Sequence, residues 1–250
     1  MINLEIASFV PTSAHHAAQN GATRIELCTS MPSGGLTPPL TSFQTLKDLL
    51  SPPASSYNTT PPTAPSKTPI HIMIRPHAET FTYTPASIQE MLHSIAAYKA
   101  EGGCTGFVLG ALTAQNLIDI PTSTLLLNAA APLPCTFHRA FDSIPPSLML
   151  SQLDVLIELG FKYLLTSGGA AKAGGEKGDD WGLLRELVDR GREGGLEVIV
   201  GGGVRRENVE ALVRGTGARW VHSSAVVGEG EMVSVEEVRG LRGILDELEK

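Results

Sequence analysis

The chain has 250 residues, 42% of them apolar and 18% charged, with a formal net charge of −7. That length suits one large α/β barrel or two small domains, and an acidic balance without a dense basic cluster argues against nucleic acid as a partner. The three cysteines, Cys28, Cys104 and Cys135, are too few and too odd in number for a disulfide framework and point to a reducing compartment. No apolar run approaches the roughly 18 residues of a membrane span, and Glu5 interrupts the only apolar run near the N-terminus, which argues against a signal peptide. The expectation is a soluble, cytoplasmic protein with no membrane partner.

Strand and helix signals alternate along the chain. A strand over 2–7 precedes a helix over 13–20, and a strand over 23–28 precedes a helix over 40–50. Residues 51–68 break the rhythm: they are rich in Pro, Ser and Thr with almost nothing to bury, and read as a flexible insertion at the N-terminal face of the fold. The pattern resumes with strand 70–75 and helix 85–101, strand 106–110 and helix 121–130, strand 135–139 and helix 145–159. Strand 163–167 leads into a glycine-rich stretch, 168–180, that reads as a long loop or a lid. Helix 181–193, strand 197–201, helix 206–214, strand 220–223 and helix 234–249 complete the series. Eight βα units in this length predict a TIM (β/α)8 barrel. A doubly wound open sheet would carry a glycine-rich dinucleotide turn after its first strand. Here that turn is Ser8-Phe9-Val10-Pro11-Thr12, and no nucleotide cofactor is indicated.

Strand alternation decides which side chains enter the barrel. It turns Asn3, Glu5 and Ala7 inward on the first strand, Arg24, Glu26 and Cys28 on the second, and His71, Met73 and Arg75 on the third. Thr136 and His138 enter from the fifth and Trp220 and His222 from the eighth, while Phe137 and Phe141 pack outward. Active sites of such barrels lie at the C-terminal ends of the strands. The functional reading has Glu26 and Arg75 orienting a polar substrate, His138 acting as acid or base, and Asp142 completing the reacting cluster. Glu5 pairs with Glu26 as a second carboxylate, one of them with a raised pKa, and His222 supports them. The bland alternative is a buried ion network that only fixes strand register.

A second signal lies where strands seven and eight end. Gly202 and Gly203 follow one, Ser223 and Ser224 end the other, and each loop is expected to lead into a helix whose N-terminus attracts an anion. Among the cysteines, only Cys28 falls at the mouth, near Met31 and Met73, and such thiolate and thioether ligands suit Cu(I). A lone cysteine in a core strand is equally a small buried hydrophobe. Cys104 and Cys135 belong at the far end.

Taken together, Arg24-Ile25-Glu26-Leu27-Cys28, Gly34-Gly35-Leu36-Thr37-Pro38, Met73-Ile74-Arg75-Pro76, Gly106-Phe107-Val108-Leu109-Gly110-Ala111-Leu112, the stretch 136–142, Leu165-Thr166-Ser167-Gly168-Gly169 and the glycines 201–203 resemble the copper homeostasis family CutC over nearly the whole chain. The resemblance implies a TIM barrel, a cytoplasmic setting, copper binding or tolerance, and a homo-oligomer. The chain departs from the family pattern in three ways. Ala7 stands where the family commonly has a cysteine beside Cys28, which leaves Met73 or His138 as alternatives for a second Cu(I) ligand. His77 replaces a usual Arg or Lys, and the Pro-rich insertion is extra. Two functions follow: copper handling through Cys28, or an enzyme acting on a small anionic or phosphorylated metabolite through Glu26, Arg75, His138 and Asp142.

Overall fold

The computed structural model describes residues 1–51, 68–173 and 181–250. The proposed insertion at 51–68 therefore lies almost wholly outside the described residues, as does residue range 174–180 of the proposed lid. Eight parallel strands close on themselves in sequence order, β1 (Asn3–Ser8), β2 (Arg24–Leu27), β3 (Ile70–Met73), β4 (Gly106–Leu109), β5 (Cys135–Phe137), β6 (Tyr163–Thr166), β7 (Glu197–Val200) and β8 (Trp220–Ser223). Eight helices surround them, α1 (Pro11–Gln19), α2 (Leu40–Leu50), α3 (Pro85–Glu101), α4 (Ile120–Ala130), α5 (Pro146–Leu159), α6 (Gly182–Glu193), α7 (Val209–Thr216) and α8 (Val235–Glu247). This is the TIM barrel that the alternation predicts.

Short strands covered on both faces are buried throughout, as in all four residues of β2 and β3. Leu4, Ile6, Ile25, Leu27, Ile72, Phe107 and Phe137 face the helices in the main core, with Phe141 beside them. A smaller apolar cluster of Ala7, Phe9, Cys28, Met73 and Val108 sits apart from it, with Met31 packed against it. Helix starts follow local chemistry. Thr84 accepts from Ser87 N–H ahead of Pro85 at α3, Asp119 caps α4, and Ser234 caps α8.

Several predicted strands ran one or two residues past the observed ends, all at the mouth. Arg75 and His138 lie beyond their strands because their neighbours there are loops. Arg75 N–H donates to Thr37 Oγ1 at 2.8 Å. After Phe137 the chain tightens into a 3-10 turn over Arg139–Ser143, capped by His138. That turn cancels strand alternation, so His138 and Arg139 both reach the same cavity instead of facing opposite ways.

Candidate functional site

The barrel mouth holds a cavity of about 360 Å³, within the range of small-molecule sites. β1 and β2 line it with Ala7, Glu26 and Cys28; Met73, Arg75 and Phe81 close one side. His138, Arg139 and Leu165 close the next, and Gly202, Gly203, Arg205, His222, Ser223 and Ser224 close the last. The geometric expectation that Glu26, Arg75, His138 and His222 converge is met: all four share one cavity.

Beneath the cavity lies a layer of paired charges. Arg24 Nε donates to Glu5 Oε2 at 2.6 Å, and its guanidinium carbon sits in the corner that the edge-to-face rings of Tyr163 and Trp220 make, 4.2 and 4.0 Å from their centroids. The other Glu5 oxygen sits 2.7 Å from His222 Nδ1. Burial pushes the Glu5 carboxyl up, but Arg24 and His222 outweigh it and hold Glu5 well below the usual carboxylate range. For Arg24 and Glu5 the register-fixing reading describes the contacts seen. His71 lies in the same deep region against Tyr163, and burial followed by Arg24 lowers it to about 3.

Glu26 lies one turn of the pleat higher and on the cavity wall. Its Oε2 is 3.4 Å from His222 Nδ1 but makes no hydrogen bond. Burial pushes its carboxyl up to about 7, with His222 opposing and the Glu5 charge adding. His222 itself is raised, because its bond to Glu5 and the Glu26 charge overcome the effect of burial. The two carboxylates thus divide as expected, one held ionised and one near neutrality at physiological pH. Glu5, Glu26 and His222 each offer a ligand atom within 4.8 Å of the others, yet Glu5 already gives both oxygens to Arg24 and His222.

His138 departs from the expected acid–base role. Its Nδ1 accepts the Ala140 N–H at 3.2 Å, and burial together with Arg75 lowers the ring to about 3. The imidazole is therefore a neutral donor through Nε2, which has no partner. Asp142 stands behind the wall and not on it. It accepts from Arg139 Nε at 2.7 Å, Thr166 Oγ1, Ser167 N and Gly169 N, and so it positions Arg139 and the turn after β6. The expectation that Asp142 joins the reacting groups is corrected on this geometry.

The corner after β7 and β8 also differs from its prediction. α7 begins only at Val209, three residues later than expected, while α8 begins at Val235 behind its cap Ser234, as expected; neither helix starts directly at a strand end. Positive charge comes instead from Arg205, which the sequence reading missed although Arg205-Arg206 directly follows Gly203-Val204. Its Nη1 reaches Ser223 Oγ at 3.1 Å and its Nη2 reaches Ser224 Oγ at 3.4 Å. Ser223 spends its own proton on Val204 O at 2.7 Å, which makes it a tie between loops, whereas Ser224 Oγ accepts from Arg205 and from the Val226 N–H. Gly202 and Gly203 have positive φ values of 107° and 72°, and a Cβ at Gly202 would sit 2.9 Å from Ser167 Cβ.

The sulfur atoms gather on the opposite wall. Gly35 (φ 95°) lets the chain pass so close that a Cβ there would meet Met73 Cε at 3.4 Å and Cys28 Sγ at 3.7 Å. Met31 packs on the same cluster, and its N–H donates to Glu231. The Cys28 thiol is pushed well up by burial, then by Glu26 and Glu231. Cys104 and Cys135 are buried elsewhere, as expected. His77 faces Tyr83 and Glu79 and is not on the cavity wall.

A closed parallel barrel whose strand ends carry a polar, ionisable pocket defines a TIM-barrel protein with a candidate site at its mouth. The fold is shared with distant barrels such as phosphoribosylanthranilate isomerase of Pyrococcus furiosus (TM-score 0.59, 13% identity, 99% of this chain and 100% of that one), a likeness of architecture alone. Closer relations are specific. The CutC family model matches residues 2–227, and the chain belongs to the CutC family. A family protein CutC of Parabacteroides distasonis is 38% identical over 222 residues, 89% of this chain and 82% of the relative. The mouse copper homeostasis protein cutC homolog is 33% identical over 213 residues, 85% and 70% of the two chains. The CutC structure from Streptococcus agalactiae superposes with a TM-score of 0.75 at 28% identity, over 90% of this chain and 99% of that one.

Proposed function

We propose that this chain serves copper homeostasis in the cytoplasm by taking Cu(I) as cargo on the sulfur-bearing wall of the barrel mouth. The observation that carries the reading is the adjacency of the Cys28 thiol and the Met73 side chain, with Met31 packed on the same cluster. Soft sulfur donors suit Cu(I). Binding requires the Cys28 proton to leave, and Glu26 and Glu231, which help hold that proton, equally favour a cation in its place. With Ala7 in place of a second thiol, the site has one thiolate and weaker thioether help. The mouse and human relatives, both named copper homeostasis protein cutC homolog, support the copper link. Self-association belongs to the same proposal and is read by sedimentation.

Titration of the reduced protein with Cu(I) against a competing chelator tests the site. Cys28→Ala abolishes the tight equivalent, Met73→Leu weakens it, and Ala7→Cys strengthens it. Affinity unchanged in Cys28→Ala removes the proposed site.

A second reading, an enzyme for a small anionic metabolite, is favoured by a separate observation. Arg75, Arg139 and Arg205 all line the cavity, and a copper cation has no use for three guanidinium groups.

A further inference from the structure

Among the described residues, two buried donors on the cavity wall have nothing to bond to. His138 Nε2 and Arg75 Nε both lack a partner, although each residue is more than nine-tenths buried. An unmet buried donor destabilises the fold, so each calls for an acceptor from outside. The remaining atoms of both groups are fixed. Nδ1 of His138 is held by the Ala140 N–H, and the Arg75 Nη atoms donate to three backbone carbonyls at 2.7–3.2 Å. Both groups flank the Phe81 ring, with the imidazole centroid at 5.2 Å and the guanidinium carbon at 4.7 Å. Side chains so confined hold their spare N–H groups in fixed positions just beneath the cavity surface, and fixed donors are what stabilise charge on an oxygen that reaches them. A neutral imidazole donor suits a carbonyl oxygen.

On another wall of the same cavity, Arg205 is held in place by its bonds to Val204 O, Ser223 Oγ, Ser224 Oγ and Val226 O, and brings a fixed positive charge to the space that Ser224 and Arg139 also line. Two guanidinium groups match a dianion better than a single carboxylate.

We propose that the mouth recognises the phosphate monoester of a small aldehyde or ketone, with His138 and Arg75 donating to its carbonyl oxygen and Arg205, Ser224 and Arg139 holding its phosphate. This rests on the second reading above and adds to it the carbonyl and the residues that read it. The cavity of about 360 Å³ has room for a phosphate monoester of a few carbons.

The test compares dihydroxyacetone phosphate with glycerol 3-phosphate, which differ only in carbonyl against alcohol, by calorimetric titration of the full chain. The ketone binds at least about tenfold more tightly, the size expected for a hydrogen bond from a charged or buried donor. His138→Phe removes that preference and leaves phosphate-dependent binding, whereas Arg205→Gln weakens both compounds alike. Should His138→Phe fail to fold, the Nε2–H resonance of the unaltered protein gives the same answer: it moves downfield with the ketone and not with the alcohol. Equal binding of the two compounds, or a preference that survives in His138→Phe, overturns the carbonyl proposal and spares the anionic reading. Binding of neither compound overturns both.

Discussion

The buried pair beneath the cavity makes the sharpest prediction about stability. Replacing Arg24 with Met keeps most of its volume but leaves the fully buried Glu5 with only His222 as a partner. Breaking a buried ion pair from one side costs about 3–5 kcal/mol, and the stacking on Tyr163 and Trp220 adds roughly 0.5–2 kcal/mol. Against a total stability of about 5–15 kcal/mol, Arg24→Met should lose roughly a quarter or more. Urea unfolding at pH 7 measures it. The companion change Glu5→Gln removes the stranded charge, so the double variant should recover at least about 2 kcal/mol relative to the sum of the single losses. Glu5 is held below its ordinary 4.5, so its contribution is present above that pH and fades as acid protonates it in the fold. Arg24→Met should lose this acid sensitivity. A loss under about 1 kcal/mol, or single losses that simply add, would refute the reasoning.

Glu26 predicts the opposite pH trend. A carboxyl raised from 4.5 to about 7 keeps a proton in the fold that the unfolded chain has released, so stability falls as pH rises across that window. Melting of the metal-free protein from pH 4.5 to 7 should show the fall, and Glu26→Gln should flatten it. His222, raised above 6.5, contributes stability fully present below 6.5 that declines as pH climbs through its folded value, and this part should survive in Glu26→Gln. Asp142→Ala strands the Arg139 guanidinium and frees the turn after β6, so affinity for phosphate esters should drop about tenfold while the ketone-over-alcohol ratio stays put. A changed ratio would place Asp142 in the recognition itself.

Periodicity exposed the barrel because each strand is too short and too buried to be anything else, and helix caps such as Thr84-Pro85 mark their own positions. Alternation also carried the inward set from Glu5 to His222. It failed where strands end. His138 begins a 3-10 turn, so facing arguments written for a strand misplace Arg139, and Asp142 turns back to serve Arg139 from behind. Arg205 escaped notice because its position follows from where α7 starts, and the Asn208 side chain at that start accepts from the Arg205 N–H instead of capping the helix. That His138 is a donor and not a base depends on the Ala140 N–H meeting Nδ1, a contact without a sequence signature. The split between Glu5 and Glu26 was legible in kind, since two carboxylates in one enclosed space cannot both stay ionised cheaply, but which one yields depends on the reach of Arg24.

The most direct check on the copper proposal is anomalous scattering at the copper edge from crystals of the reduced protein grown with Cu(I). A single peak bridging the Cys28 and Met73 sulfurs is the predicted result. Copper bound at the surface, or a mouth filled by an anion on Arg205 with no metal beside Cys28, would contradict it.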